Sequence, residues 1–546
     1  MLCGVAKRIL AILIFAAIAA RHASAQLTLA DVQTVIAQAV TRATALTGSP
    51  LQTNAVIAVM DREGWVLGVW ALNSGSSSAD PLVADAIAKA GAAAFLSSGQ
   101  NAFSSRTAGD IVQQHFPPGI ANTPPGPLVG VNFSQLAFSD INKLKAPGSV
   151  ISYGSSPGLT LVSPPLPITG GLAGTPGGLP LYKNGQFVGA IGVAGDGLQP
   201  TDITPGVIAS ADANEDVALA GQTGFQPTSA IFASQVLVNG IRLEYTESST
   251  SLGAVIPFAS LPGKNILPFA LQAAPAPFSY PAMNLGGESG QLRQPIIADP
   301  SGVALPGGVA RLTAQEVTSI IAAAANRART TRGAIRLPRG SAAQVFITVV
   351  NNPNANGVAP VVLGTFCTSP DATLFSWDVA VQKARTAVFF SEANGIFSGT
   401  QTGAAYGANA AFSARTVGFL SQSMYPPGIS GTQPGIFFGL QERFSIITPT
   451  SVQANNPVSG AVFMTSTSVN GNLPNGITIF PGGFPLYRNG VLIGAVGVSG
   501  DGVDQDDLIS ASGASLFLAA VPIRADQTQY RSARLPFAKF PRNPAM

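Results

Sequence analysis

Cysteine and histidine are nearly absent from these 546 residues, which hold two of each: Cys3, Cys367, His22 and His115. Two of the four fall in a leader. Lys7 and Arg8 precede an apolar run from Ile9 to Ala20, and Ala23-Ser24-Ala25 then supplies the small residues a signal peptidase needs. Residues 1–25 therefore read as a removed secretory signal, which makes the protein secreted or periplasmic. The run is shorter than the ~20 apolar residues of a membrane span, and no later segment reads as one. Cys3 stands too early to be a lipid-modified cysteine. Cys367 alone remains after cleavage, so an intrachain disulfide is excluded although the compartment permits one.

His115, the histidine left in the mature chain, restricts the chemistry. At most one Ser-His-Asp set could form, and zinc hydrolysis lacks the two or three histidines its sites commonly use. No acid, base and nucleophile share a recognisable spacing. Chemistry of the chain's own side chains is therefore not expected, although a bound cofactor could bring reactivity with it. Charge is scarce too, at 10% of residues. Of 29 Lys and Arg, Lys7, Arg8 and Arg21 leave with the signal, so 26 remain against 26 Asp and Glu. A balanced chain without a basic cluster does not read as a nucleic-acid binder.

What the chain does have is apolar residues (46%), 60 glycines and 42 prolines, enough for a buried core joined by many turns. It also has a 21-residue phrase written twice, GGLPLYKNGQFVGAIGVAGDG from Gly177 and GGFPLYRNGVLIGAVGVSGDG from Gly482, with 14 identical positions and an offset of 305 residues. Similar matches in the same order precede each copy, so the chain reads as a duplicated unit.

Each unit opens on a helix start, Thr28 with Asp31 and Thr313 with Glu316, spaced for a capping box. Val32, Val35, Ile36, Ala39, Val40 and Ala43 follow helical spacing, and Val317, Ile320, Ile321, Ala324, Ala325 and Ala328 answer them. Hairpins are expected over Ala55–Met60 with Trp65–Leu72 and over Val345–Val350 with Val361–Phe366. A second helix is expected over Pro81–Ser97 and over Trp377–Ser391, matched at Lys89-Ala90 and Lys383-Ala384. Ala102-Phe103-Ser104-Ser105-Arg106-Thr107 and Ala411-Phe412-Ser413-Ala414-Arg415-Thr416 then open short helices that end before Pro-Pro-Gly-Ile. In the repeated phrase, Lys183-Asn184-Gly185 and Arg488-Asn489-Gly490 make an Asn-Gly turn between strands, and another helix follows. Residues 248–305 are rich in Pro, Ala, Gly and Ser without clear periodicity and read as a linker.

Gly189, Gly192, Gly195 and Gly197 do not follow G-x-G-x-x-G, and no helix opens within them, which argues against a dinucleotide loop. Such glycines mark tight packing or the approach of a flat ligand. Asp501, Asp504, Asp506 and Asp507 read as helix caps and dipole partners or as cation ligands. In register, Met424 stands opposite His115. Both residue types ligate haem iron, and both have plainer uses at a helix end or in a core. Phe95, Phe103, Phe116, Phe389, Phe390 and Phe412 could line a pocket for a flat apolar ligand or simply fill the core.

This order, capped helix, hairpin, Lys-Ala helix, Ser-Arg-Thr segment and G-G-x-P-L-Y-x-N-G-x-x-x-G-A-x-G-V-x-G-D-G, resembles the GlcG/HbpS-like haem-binding family, related to the C-terminal domain of PduO-type adenosyltransferases. The glycine phrase is the specific part. The resemblance implies an α+β fold of two tandem copies of a profilin/PAS-like unit, an antiparallel sheet flanked by helices, at 26–247 and 306–546. It implies haem or a related tetrapyrrole as ligand, in haem or iron handling or redox sensing, and a homo-oligomer built from pseudo-twofold repeat pairs. His115 and Met424 are carried forward as candidate iron ligands, with Tyr425, Arg106 and Arg415 as pocket groups, the arginines pairing with propionates or with the chain's own carboxylates. Lys89-Ala90-Gly91-Ala92 stands where the second copy has Lys383-Ala384-Arg385-Thr386, so the two sites need not be alike. The alternative is a structural or sensory interaction module of the same fold with no bound cofactor.

Overall fold

The structure is a computed structural model. It describes residues 25–77, 80–112, 115–117, 120–128, 167–169, 173–196, 211–266, 270–276, 280–333, 335, 337, 340–373, 375–391, 410–422, 424–437, 447–449, 463–466, 473, 478–500 and 502–539. The signal read at residues 1–25 lies outside them except for Ala25, as do Gly197 and Asp501.

Helix α1 (Leu29–Ala45) starts as its sequence demands. The Thr28 hydroxyl accepts from the Asp31 amide while the Asp31 carboxylate accepts from the Thr28 amide, satisfying two of the donors a helix start leaves open. All six apolar positions at helical spacing are buried. After a short α2 (Leu51–Asn54), β1 (Val56–Asp61) and β2 (Val66–Ala71) form an antiparallel hairpin. Asp80 caps α3 (Pro81–Leu96), and Ser104 caps α4 (Ser105–Ile111). The strands β3 (Pro167–Thr169), β4 (Gly178–Lys183) and β5 (Gln186–Ala194) follow. Asn184 and Gly185 turn between the last two with φ of 53° and 74°, the left-handed pair an Asn-Gly hairpin requires. Next come α5 (Ala213–Gly221) and a ribbon of β6 (Leu237–Val238) with β7 (Ile241–Arg242).

The segment read as a linker contributes β8 (Lys264–Asn265), β9 (Ala282–Leu285) and β10 (Glu288–Gln294). It is a strap bonded to both sheets. Beyond it, the second half runs through α6 (Ala314–Thr330), β11 (Phe346–Asn351), β12 (Val362–Cys367), α7 (Phe375–Ser391) and α8 (Ala414–Leu420). Then come β13 (Ile447–Pro449), β14 (Phe463–Ser466), β15 (Gly483–Arg488), β16 (Val491–Ser499), α9 (Val503–Ala514) and a closing ribbon of β17 (Gln529–Tyr530) and β18 (Ala533–Arg534).

The architecture is α+β, antiparallel sheets flanked by helices. One sheet runs β4-β5-β1-β2-β8 and the other β15-β16-β11-β12-β10-β9, and β14 joins β13 to β3. In both large sheets the strand of the repeated phrase pairs with the first hairpin strand, Val56 opposite Ala194 and Phe346 opposite Ser499.

Gly192 and Gly497 of that phrase are explained by helix packing. A Cβ at Gly192 would lie 2.0 Å from the Ala86 carbonyl oxygen of α3, and one at Gly497 would lie 2.0 Å from the Ala380 oxygen of α7. Backbone meets backbone there, so only glycine fits. The lysine of each Lys-Ala helix is fully buried beside the phrase. Lys89 Nζ donates to the Val193 carbonyl (3.2 Å) and pairs with Asp85 (3.1 Å), whereas Lys383 Nζ donates to Val498 (2.8 Å) and pairs with Asp506 (2.8 Å). The counter-charge thus sits one turn back on the same helix in the first half and on α9 in the second.

Candidate functional site

The segments that follow α4 and α8 are built alike. The Phe116 amide donates to the Pro124 carbonyl (2.8 Å), and the Tyr425 amide donates to the Gln433 carbonyl (3.0 Å). Each closes a loop. The loops then meet across the molecule: the Asn122 amide donates to Ser430 Oγ (3.1 Å) and the Ser430 amide donates to Asn122 Oδ1 (2.9 Å).

His115 sits in this seam. Its Nδ1 is 2.8 Å from the Thr123 carbonyl oxygen and its Nε2 is 3.3 Å from Ser430 Oγ. A carbonyl can only accept, so Nδ1 carries the proton and the lone pair of the neutral ring lies on Nε2. Met424 occupies the corresponding position of the other loop and is half-buried. Tyr425 is buried with its ring edge-on to Phe419 (5.3 Å) and Tyr530 (5.0 Å). Its hydroxyl has no hydrogen-bond partner among the described residues. Burial, together with Tyr530, pushes that hydroxyl up to about 12, so it stays protonated.

The two arginines are committed to carboxylates. Arg106 donates from Nε and Nη2 to both oxygens of Glu215 at 2.8 and 3.0 Å, with neither side chain open to solvent. Arg415 donates to Asp507 (2.8 Å) and Asp504 (2.7 Å), and Lys539 Nζ closes on Asp504 at 2.8 Å. Of the two partners the sequence left open for these arginines, the structure places the chain's own carboxylates against them.

The acidic run at α9 has the same explanation. Gly502 is the N-cap and makes no side-chain bond, so Asp504, Asp506 and Asp507 do not cap the helix, although Asp504 and Asp506 stand in its first turn, where a carboxylate complements the helix dipole. They neutralise Arg415, Lys539 and the buried Lys383. No group of three or more His, Cys, Asp or Glu side chains suited to a metal ion occurs among the described residues.

Phe390 packs against Phe389 (5.2 Å) and Phe437 (4.8 Å), and Phe412 against Phe437 (6.3 Å). These rings, with Phe95, Phe103 and Phe116, belong to the buried core. Sequence reasoning missed Ser430, Asn122 and Glu215. A Ser or Asn in a Pro-Gly loop and an acid near a helix start carry no mark of a distant partner.

The family described as "Haem degrading protein HbpS-like" matches residues 312–515. The match is distant and partial, and it falls in the second half of the chain. Among solved structures it is similar to a PduOC–haem complex, at 21% identity over 39% of this chain and 98% of that one, with a TM-score of 0.22. It is also similar to the DUF336 protein ORFY of Klebsiella pneumoniae, at 19% identity over 39% of this chain and 96% of that one, with a TM-score of 0.22. A doubly substituted HbpS of Streptomyces reticuli gives 18% identity over 40% of this chain and 97% of that one, again at 0.22. Likeness at this level decides nothing about function. No curated protein matches the chain. Among the described residues no helix is long and apolar enough to cross a membrane.

Proposed function

We propose that this is a secreted or periplasmic binding protein for haem or a related tetrapyrrole, built from two tandem copies of a profilin/PAS-like unit and acting in haem or iron handling or redox sensing. The family match over residues 312–515 motivates the ligand class. The observation that carries the reading to particular residues is the orientation of His115. With Nδ1–H tied to the Thr123 carbonyl, Nε2 presents its lone pair to Ser430, a weak partner that an iron could displace.

The fit to haem is uneven along the chain. His115 Nε2 and the Met424 thioether have the right chemistry for axial ligands. Tyr425, held protonated, would serve as a hydrogen-bonding or packing group and not as an anionic ligand. Arg106 and Arg415 would have to leave Glu215, Asp504 and Asp507 to reach a propionate, so they fit poorly in this arrangement.

Hemin titration of the purified protein tests the reading. A saturable Soret shift at micromolar concentration is expected, and it should be weakened in His115→Ala or Met424→Ala. No shift, or a spectrum identical in both variants, would overturn these ligands.

A second reading, an interaction module of the same fold without a cofactor, has its own support in the seam. There His115 already bridges the two loops through Thr123 and Ser430. On that reading His115→Ala loosens the contact between the halves, and hemin changes neither the oligomeric state nor the bound partners.

A further inference from the structure

Arg293, on β10, is 8% exposed and belongs to none of the ion pairs among the described residues. Its Nε has no hydrogen-bond partner among those residues. The guanidinium lies 4.0 Å above the Tyr280 ring, with the Phe346 and Trp377 rings at 5.7 and 5.6 Å. Ring faces attract the cation, but they accept no in-plane N–H. A buried guanidinium whose Nε–H lacks an acceptor is destabilising, so the Nε edge of Arg293 calls for one.

Arg293 lines a cavity of about 320 Å³ between the β1–β2 turn and the strap, together with Arg62, Glu63, Trp65, Tyr280 and Gln291. That is the size range of a small-molecule site. Of the groups that could neutralise Arg293, the Glu63 carboxylate lines the same cavity but makes no ion pair with it among the described residues. Asp61 Oδ1 accepts from the Glu63 and Trp65 amides at 2.8 Å each. Burial raises the Cys367 thiol, so the neighbouring cysteine offers no thiolate. Arg62 points its charge at the opposite wall, where it donates to the Pro370 carbonyl (3.2 Å) and lies 3.9 Å from Asp371. The Gln291 Oε1 atom is also buried without a partner among the described residues. Burial and the Glu63 carboxylate push the Tyr280 hydroxyl up to about 12, which keeps it a neutral donor.

We propose that this cavity binds a small organic monocarboxylate. Its two oxygens would take the open edge of Arg293, in the planar two-point geometry that guanidinium and carboxylate share, and its uncharged body would occupy the space beside Trp65. The wall carries two cations, Arg62 and Arg293, and two carboxylates, Asp61 and Glu63. Its balance of charge favours a monoanion over phosphate or another dianion.

The site shares no residue with the haem reading and stands or falls separately from it. Isothermal titration of the full chain with sodium benzoate tests the proposal, with benzamide and inorganic phosphate as comparators. Saturable benzoate binding at one site is expected, at least about 10-fold tighter than either comparator. Arg293→Lys keeps the charge but loses the fork, and should weaken benzoate at least about 10-fold. The benzoate and benzamide comparison needs no substitution, so it decides the matter even if that variant does not fold. Equal affinity for benzoate and benzamide, no saturable binding up to about 10 mM, or a folded Arg293→Lys protein with unchanged affinity would each overturn it.

Discussion

Arg106 on α4 and Glu215 on α5 meet through two parallel hydrogen bonds, and the second Glu215 oxygen also accepts the amides of Glu247 (3.0 Å) and Ser248 (2.9 Å). One carboxylate therefore ties a short helix, a second helix and the chain leading to the strap. Glu215→Leu would leave the buried guanidinium only the longer contact to Glu244 (3.6 Å) and should cost about 3 kcal/mol in urea unfolding. Arg106→Met combined with Glu215→Leu removes both charges and should cost much less than the two single changes together. Strict additivity would show that the pair is not coupled.

Gly192 and Gly497 carry a second expectation. A methyl group at either would strike a helix carbonyl at 2.0 Å, while one at Gly185 would meet nothing within 4 Å. Gly192→Ala and Gly497→Ala should each cost about 1–3 kcal/mol or more through forced displacement of α3 or α7. Gly185→Ala should cost only about 1 kcal/mol, from its left-handed φ. Melting temperatures of the three variants check the order, and a Gly185 variant as unstable as the other two would contradict the packing argument.

The third concerns pH. Burial, reinforced by the Glu244 carboxylate, raises Asp110 to about 6 from an ordinary 3.8. A folded pKa above the unfolded value means that the folded chain holds the proton more tightly. This contribution is therefore full below about pH 4 and disappears as pH rises through 6. Its size is on the order of 3 kcal/mol. Asp110→Asn should remove that slope, so its stability relative to the unaltered protein should rise between pH 4 and pH 7. A constant difference across that range would count against the assignment. Taking the difference between the two proteins cancels the titrations they share, both of carboxylates raised by burial such as Asp85 and Asp507 and of those held down such as Asp31 and Glu316.

Local chemistry was legible in the residues. Thr28 with Asp31 and Thr313 with Glu316 form capping boxes, and Asn184-Gly185 and Asn489-Gly490 turn as such pairs must, because these contacts span at most a few positions. The strap was not legible. Glu288–Gln294 is mostly polar and carries no strand signal, and its structure comes from pairing with β12, where Gln291 stands opposite Cys367. The roles of Arg106 and Arg415 were open for a related reason: their carboxylates lie 109 and 92 residues further along the chain. Spacing can suggest a cap but not a partner at that distance. Arg293 and Tyr280 were similarly hidden inside a Pro/Ala/Gly/Ser-rich stretch without clear periodicity.

The strap also sets an order of events during synthesis. A chain that emerges N-terminus first presents β2 long before Lys264 and Asn265 arrive to cover its outer edge, so the first sheet waits with that edge bare. The second sheet meets the opposite circumstance: β9 and β10 precede β12 in the chain, and its edge cover is ready before the strand it will protect has been made.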